Sequence, residues 1–170
     1  KFAREMGERL KVPVTPVDSN ADCIKDVEII GCFTSSDEPV FDGNSISPGQ
    51  TIVSIRNTDH VSSSHEVDQN IILKSERIVV NDKSTVIDNQ QGELLDLIDR
   101  GAITWEKVVE LGDLVSGKIP RRPGDEKILY YKNNAGMGIQ FAAAGKVVLE
   151  AAKRKGLGTE IPGELFGRAR

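Results

Sequence analysis

Three short apolar runs, at residues 27–33 (VEIIGCF), 51–55 (TIVSI) and 77–80 (RIVV), constrain the fold most tightly. Each is too short for an ordinary helix and too continuously apolar for a strand with one wet face. Such runs predict strands buried on both sides, the pattern of a parallel sheet. Helical patterns separate them. Residues 1–9 open one, with Phe2, Met6 and Leu10 spaced four apart on one face. Ser19 followed by Asp22 has the form of a helix start, with Asp in the place of the usual Glu. Residues 66–73, 84–100 and 104–114 read as further helices, with Gly101 stopping the second and Thr104 capping the third. Residues 12–17 are β-rich, and their two prolines suggest an edge or a strand end. The alternation over the first 120 residues predicts an α/β domain with a mostly parallel sheet.

The stretch 120–125 (PRRPGD) has no apolar residue and marks the expected boundary. We expect one domain over residues 1–120 and a C-terminal segment over 121–170. In that segment residues 127–131 suggest a strand, and 137–155 form the longest helical pattern, with Phe141, Ala144, Val148, Leu149 and Ala152 on one face. Lys153, Arg154 and Lys155 close it where cations suit the helix dipole, and Gly156 stops it. The chain has 22 basic and 26 acidic residues, a formal net charge of -4, which argues against nucleic acid as a partner. No apolar run approaches about 18 residues, so no membrane span is expected. Two cysteines do not make a disulfide framework, and a cytoplasmic setting is expected. Two histidines without a cysteine cluster point away from a metal site. Lys1 opens the chain inside a helical pattern, from which we expect a fragment of a longer protein.

Parallel sheets bind ligands outside the carboxyl ends of their strands, so the residues after each strand matter most. Thr34, Ser35 and Ser36 follow the first run and offer three hydroxyls, either to a bound cofactor or to turns of their own loop. Arg56, Asn57, Thr58, Asp59 and His60 follow the second. Asp59 beside His60 suits general acid–base work, or the loop is simply solvated. Gly136, Met137 and Gly138 resemble a phosphate loop, but no third glycine follows at the dinucleotide spacing. Lys132, Asn133 and Asn134 enter a helix amino end, where they cap the helix or meet polar ligand groups. Glu66 reads as opening its helix, and Arg121 with Arg122 as a solvated pair.

Five stretches together resemble the ornithine cyclodeaminase / mu-crystallin family. They are TSSDEPVFDG (34–43), SPG with its strand (47–55), GAITW through ELGDLVSG (101–117), YKNNAGMGIQ (131–140) and GLGTEIP (156–162). The resemblance runs in order along nearly the whole chain. It implies part of a Rossmann-type NAD or NADP domain, with a C-terminal helical segment belonging to a second, substrate and dimerisation domain. It implies hydride transfer at the α-carbon of an amino acid or its cyclic imine, and a homodimer. It places Thr34, Ser35, Ser36, Ser54, Ile55, Asn57 and Asn134 beside the cofactor and makes Asp59 the nearest match to the family's catalytic aspartate. The alternatives are a non-catalytic mu-crystallin-like binding protein or an inactive remnant. The glycine-rich phosphate loop of the family would fall before Lys1, so the isolated chain is expected to bind NAD poorly and to catalyse nothing.

Overall fold

The computed structural model describes residues 1–56, 65–134 and 138–165. The chain forms two compact units, Lys1–Ala135 and Gly136–Arg170. In the first unit, α1 (Phe2–Leu10) closes with Lys11 in the left-handed region, and none of its residues is buried. α2 (Asn20–Ile24) starts as its sequence indicates: the Ser19 hydroxyl accepts the Asp22 amide at 3.1 Å. Then come β1 (Ile29–Cys32), β2 (Thr51–Ser54), α3 (Gln69–Lys74) and β3 (Arg77–Val80). They are followed by α4 (Lys83–Asp88), α5 (Gly92–Asp99), β4 (Val108–Glu110), α6 (Leu111–Val115) and β5 (Leu129–Lys132). The strands form one parallel sheet in the order β1-β2-β5-β3-β4. The expected α/β class and the parallel sheet are both present.

Several local expectations give way to tertiary structure. Residues 12–17 form no strand; Pro13 and Pro16 lack the N–H groups a ladder needs. The helix expected over 84–100 is two, α4 and α5, because Gln90 sits at φ 49 and turns the chain between them. The helix expected over 104–114 becomes a 3-10 turn (Trp105–Lys107), then β4, then α6. The β-branched pair Val108 and Val109 prefers the pleated edge beside β3. The helix after β2 starts later than expected, with Asp68 rather than Glu66 at its cap, where its carboxylate accepts the Asn70 amide. β5 lies beyond the boundary expected at residue 121, yet it is the sheet's central strand, and the compact units divide after Ala135. Arg122 shows why the 120–125 stretch stays with the sheet. Its guanidinium donates to the carbonyls of Gly49, Gly124 and Lys127 and to the Thr51 hydroxyl, tying the amino ends of β2 and β5 together.

Side chains alternate across a strand, so one face of the sheet carries Ile30, Ile52, Tyr130 and Ile78, all buried. They share a core with Ile71 and Ile72 of α3 and Leu94 and Leu97 of α5. Each fully buried aliphatic side chain contributes about 1.5–3 kcal/mol. Burial on both faces holds for β3, but β1 buries only alternate residues, and its Ile29 is 70% exposed.

The second unit contains α7 (Gly138–Lys155) and a 3-10 turn at Gly163–Leu165. Gly156 takes φ 63, and the Leu157 amide returns to the Ala152 carbonyl, the left-handed helix ending its sequence indicates. Val148, Leu149 and Ala152 line a groove with Leu157 and Ile161. Among the described residues, no helix is long and apolar enough to cross a membrane.

Candidate functional site

The sheet's character changes at its carboxyl end. Cys32, Ser54 and Lys132 lie side by side as the last register of β1, β2 and β5. They continue the buried face that carries Ile30, Ile52 and Tyr130 one step earlier. Apolar packing thus ends in polar groups, and buried polar groups must find partners.

Glu66 supplies the first set. It is buried, and its carboxylate accepts the Thr34 amide at 2.5 Å, the Thr34 hydroxyl at 2.7 Å and the Ser54 hydroxyl at 3.0 Å. One carboxylate therefore fastens Thr34, in the loop after β1, to the end of β2. Lys132 supplies the second set. Its ammonium meets Glu93 of α5 at 2.6 Å, with the two side chains 1% and 4% exposed, and it also donates to the Arg56 carbonyl. The Tyr130 hydroxyl donates to the other Glu93 oxygen. Arg56 crosses the surface above, donating to the Ser36 carbonyl at 2.5 Å and to the Asp37 carboxylate at 2.6 Å.

The electrostatics follow. Burial, reinforced by Glu66 and Glu93, pushes the Cys32 thiol up to about 12. Cys32 is a neutral packing group, without thiolate reactivity. Burial first, then the Glu93 charge, raises the Tyr130 phenol well above its ordinary range, so it stays a donor. Beside β3, Asn81 accepts from the Tyr131 hydroxyl at 2.6 Å and donates to Asn133 at 2.7 Å.

The residues expected at a cofactor divide into three groups. Thr34 and Ser35 are exposed at the carboxyl end, Ser36 is half-buried, and Ile55 is 45% exposed. The hydroxyls of Thr34 and Ser36 are engaged within the chain, Thr34 with Glu66 and Ser36 with the Glu38 carbonyl. Ser54 and Asn134 are buried. Asn134 accepts the Asn81 amide at 2.7 Å and donates to the Asp82 carbonyl at 2.9 Å, so it braces the turn after β3 instead of presenting its amide at the surface. Asn57 and Asp59 lie outside the described residues.

Sequence reasoning gave Glu93 no role, read Glu66 as a helix opening and Lys132 as a helix entry, and so missed the bonds the three make. Lys132 left one signal: it is the only charge in the last strand and shares the in-facing parity of Tyr130. Glu66 and Glu93 left none that separates them from surface residues. A groove of about 440 Å³ runs past His65, Asp68, Glu93, Asp96 and Arg100, so Glu93 forms part of its wall as well as meeting Lys132. No group of three or more His, Cys, Asp or Glu side chains is arranged to hold a metal among the described residues.

A parallel sheet flanked by helices, with a polar carboxyl end, defines an α/β domain of the class whose ligand sites lie at that end. The sequence matches the profile of the Ornithine cyclodeaminase/mu-crystallin family over residues 1–156, and the chain belongs to that family. It is 32% identical over 137 residues to the Delta(1)-pyrroline-2-carboxylate reductase of Colwellia psychrerythraea, covering 80% of this chain and 42% of that protein. Among solved structures it resembles the Delta(1)-pyrroline-2-carboxylate reductase of Thermococcus litoralis in complex with NADH and L-proline. That likeness has a TM-score of 0.83 at 28% identity and covers 94% of this chain and 48% of the other. It also resembles an archaeal alanine dehydrogenase dimer with bound NAD, with a TM-score of 0.74 at 25% identity, covering 93% and 47%. The chain spans about half the length of the relatives it matches.

Proposed function

We propose that this chain forms part of an NAD- or NADP-dependent oxidoreductase that transfers a hydride at the α-carbon of an amino acid or its cyclic imine. The observation that carries the reading is the laced carboxyl end of β1, β2 and β5 in a fold whose solved relative holds NADH and L-proline. The residues present fit a nicotinamide. Ile55 offers an apolar side chain at the surface after β2, and Ser35 is exposed after β1. When bound, the nicotinamide supplies the hydride for the imine carbon. The chain's own residues orient and protonate. Thr34, Ser35 and Ser36 with Ile55 and Asn57 border the cofactor, Ser54 holds that border from beneath through Glu66, and Asn134 braces the neighbouring turn after β3. Asp59 is the candidate group to move the proton that the imine nitrogen gains as its double bond becomes single. The protein acts as a homodimer in the cytoplasm, and the helical segment with α7 belongs to its substrate and dimerisation domain.

The test is to supply the protein carrying this sequence with NADH or NADPH and a panel of cyclic imino acids. Loss of reduced nicotinamide with one of them is expected, and Asp59→Asn is expected to slow it about a hundredfold or more. No turnover in either direction, with imines or with amino acids and the oxidised cofactor, would sink the proposal.

A further inference from the structure

Lys132 is an ammonium where packing alone would favour an apolar side chain. It ends the central strand, on the buried face, one step beyond Tyr130. A buried ion pair is no better for stability than well-packed hydrophobic residues of similar volume. The Lys132 contacts suggest what it does instead. The last described main-chain bond between β2 and β5 runs from the Asn133 amide to the Ser54 carbonyl at 2.8 Å. Two residues further along, the Arg56 carbonyl is held by the Lys132 ammonium. A side chain thus continues the lacing of β2 to β5 past the end of the ladder. Arg56 then reaches sideways to Ser36 and Asp37, and Glu66 binds Thr34 to Ser54. The loop after β1 is thus tied to Ser54, Arg56 and Glu66, and the tie ends on Lys132.

We propose that Lys132 is a positioning residue. With Glu93 as its counter-ion, it anchors the Arg56 carbonyl and so fixes Arg56 and the Ser36–Asp37 segment that Arg56 binds beside the proposed reaction centre. The catalytic consequence rests on the oxidoreductase reading above; the anchoring does not. Lys132 is not itself the proton donor or a nucleophile, because it is 1% exposed and bonded to Glu93 and Arg56.

Removing Lys132 alone leaves Glu93 buried without a counter-ion and tests stability more than position. The informative variant is Lys132→Met with Glu93→Gln, which removes both charges and keeps an acceptor for the Tyr130 hydroxyl. It is expected to melt within about 5 °C of the unsubstituted protein. Amide exchange at Ile55 and Arg56 is nevertheless expected to be about tenfold faster or more, since the tie that resists local opening is gone. kcat at equal folded fraction is expected to fall about tenfold or more, with a smaller change in the KM for the nicotinamide. Arg56→Ala, at a position outside the core, covers the case in which the double variant fails to fold. It is expected to speed exchange at Ser36 and Asp37 while Ile55 stays protected by the Lys132 tie. Unchanged exchange and unchanged kcat in a folded double variant overturn the proposal, as does loss of protection at Ile55 in Arg56→Ala. If the unsubstituted protein turns over no imine or amino acid while exchange still accelerates in the double variant, the oxidoreductase reading fails and the anchor is upheld.

Discussion

β1 and β5 are parallel strands of the same length, both written in mostly apolar residues, yet the sheet treats them differently. β5 has neighbours on both sides; Leu129, Tyr130 and Lys132 are buried. β1 is an edge. Its Ile30 and Cys32 face the core, while Ile29 is 70% and the following Phe33 64% exposed. The Phe33 ring lies against Gly31, where an added Cβ would come within 2.7 Å of it. The difference teaches that burial on both faces is a property of position in the sheet, not of an apolar run. It also explains why a charge is held at the end of β5. Neighbours on both sides help to enclose the ammonium, and α5 supplies its carboxylate.

Substitutions sharpen the contrast. The largest effect is expected where the sheet is enclosed: Lys132→Met alone should cost about 3–5 kcal/mol in denaturant unfolding, because Glu93 stays buried without its partner. Ile78→Ala beside β5 should cost about 2–5 kcal/mol through the cavity it leaves. A loss below about 1 kcal/mol for either would mean that β5 is not the enclosed centre of the sheet. Asp82→Ala comes next, at about 1 kcal/mol, since that carboxylate caps α4 through the Thr85 amide at 2.9 Å. Hydrogen bonds from Ser84 first and then Thr85 hold the Asp82 carboxyl below its ordinary range. A depressed folded-state pKa gives stability above the unfolded value and loses it as pH falls. The cost of Asp82→Ala should therefore shrink below about pH 4, and a cost that grows in acid would contradict the cap. The smallest effect is expected at the edge, where Ile29→Ala should change stability by no more than about 0.5 kcal/mol. A cost above about 1 kcal/mol would show that the outer side of β1 is covered.

The sheet was legible where local pattern and burial agree. β1, β2 and β3 fall within two residues of the runs that predict them, because short apolar segments between turns have few other uses. β4 was not legible, since Val108 and Val109 also fit a helical spacing and only the neighbouring β3 decides between the two. The carboxyl-end loops were legible as a place and not as a bonding pattern. Thr34, Ser35 and Ser36 mark where the site lies, but the destination of the Thr34 hydroxyl is Glu66, 32 positions along the chain. Lys132 read as the entry to a helix because its local context is polar; its counter-ion Glu93 belongs to another element. Partners distant in sequence leave no spacing to detect. The family resemblance reached the domain and the chemistry without reaching these contacts.

The strand order carries one more consequence. Among the described residues β5 is the last strand in sequence and the central one in the sheet. As the polypeptide emerges, β1 can pair with β2 and β3 with β4, but the two halves stay apart, each with an unpaired inner edge, until residues 129–132 arrive to join them. Every contact that unites the sheet spans a long stretch of chain, which slows closure and leaves sticky edges open for longest. The piece that locks the sheet is thus made after the four strands it joins, and a ribosome that stalls before β5 would release two strand pairs prone to finding partners on other chains.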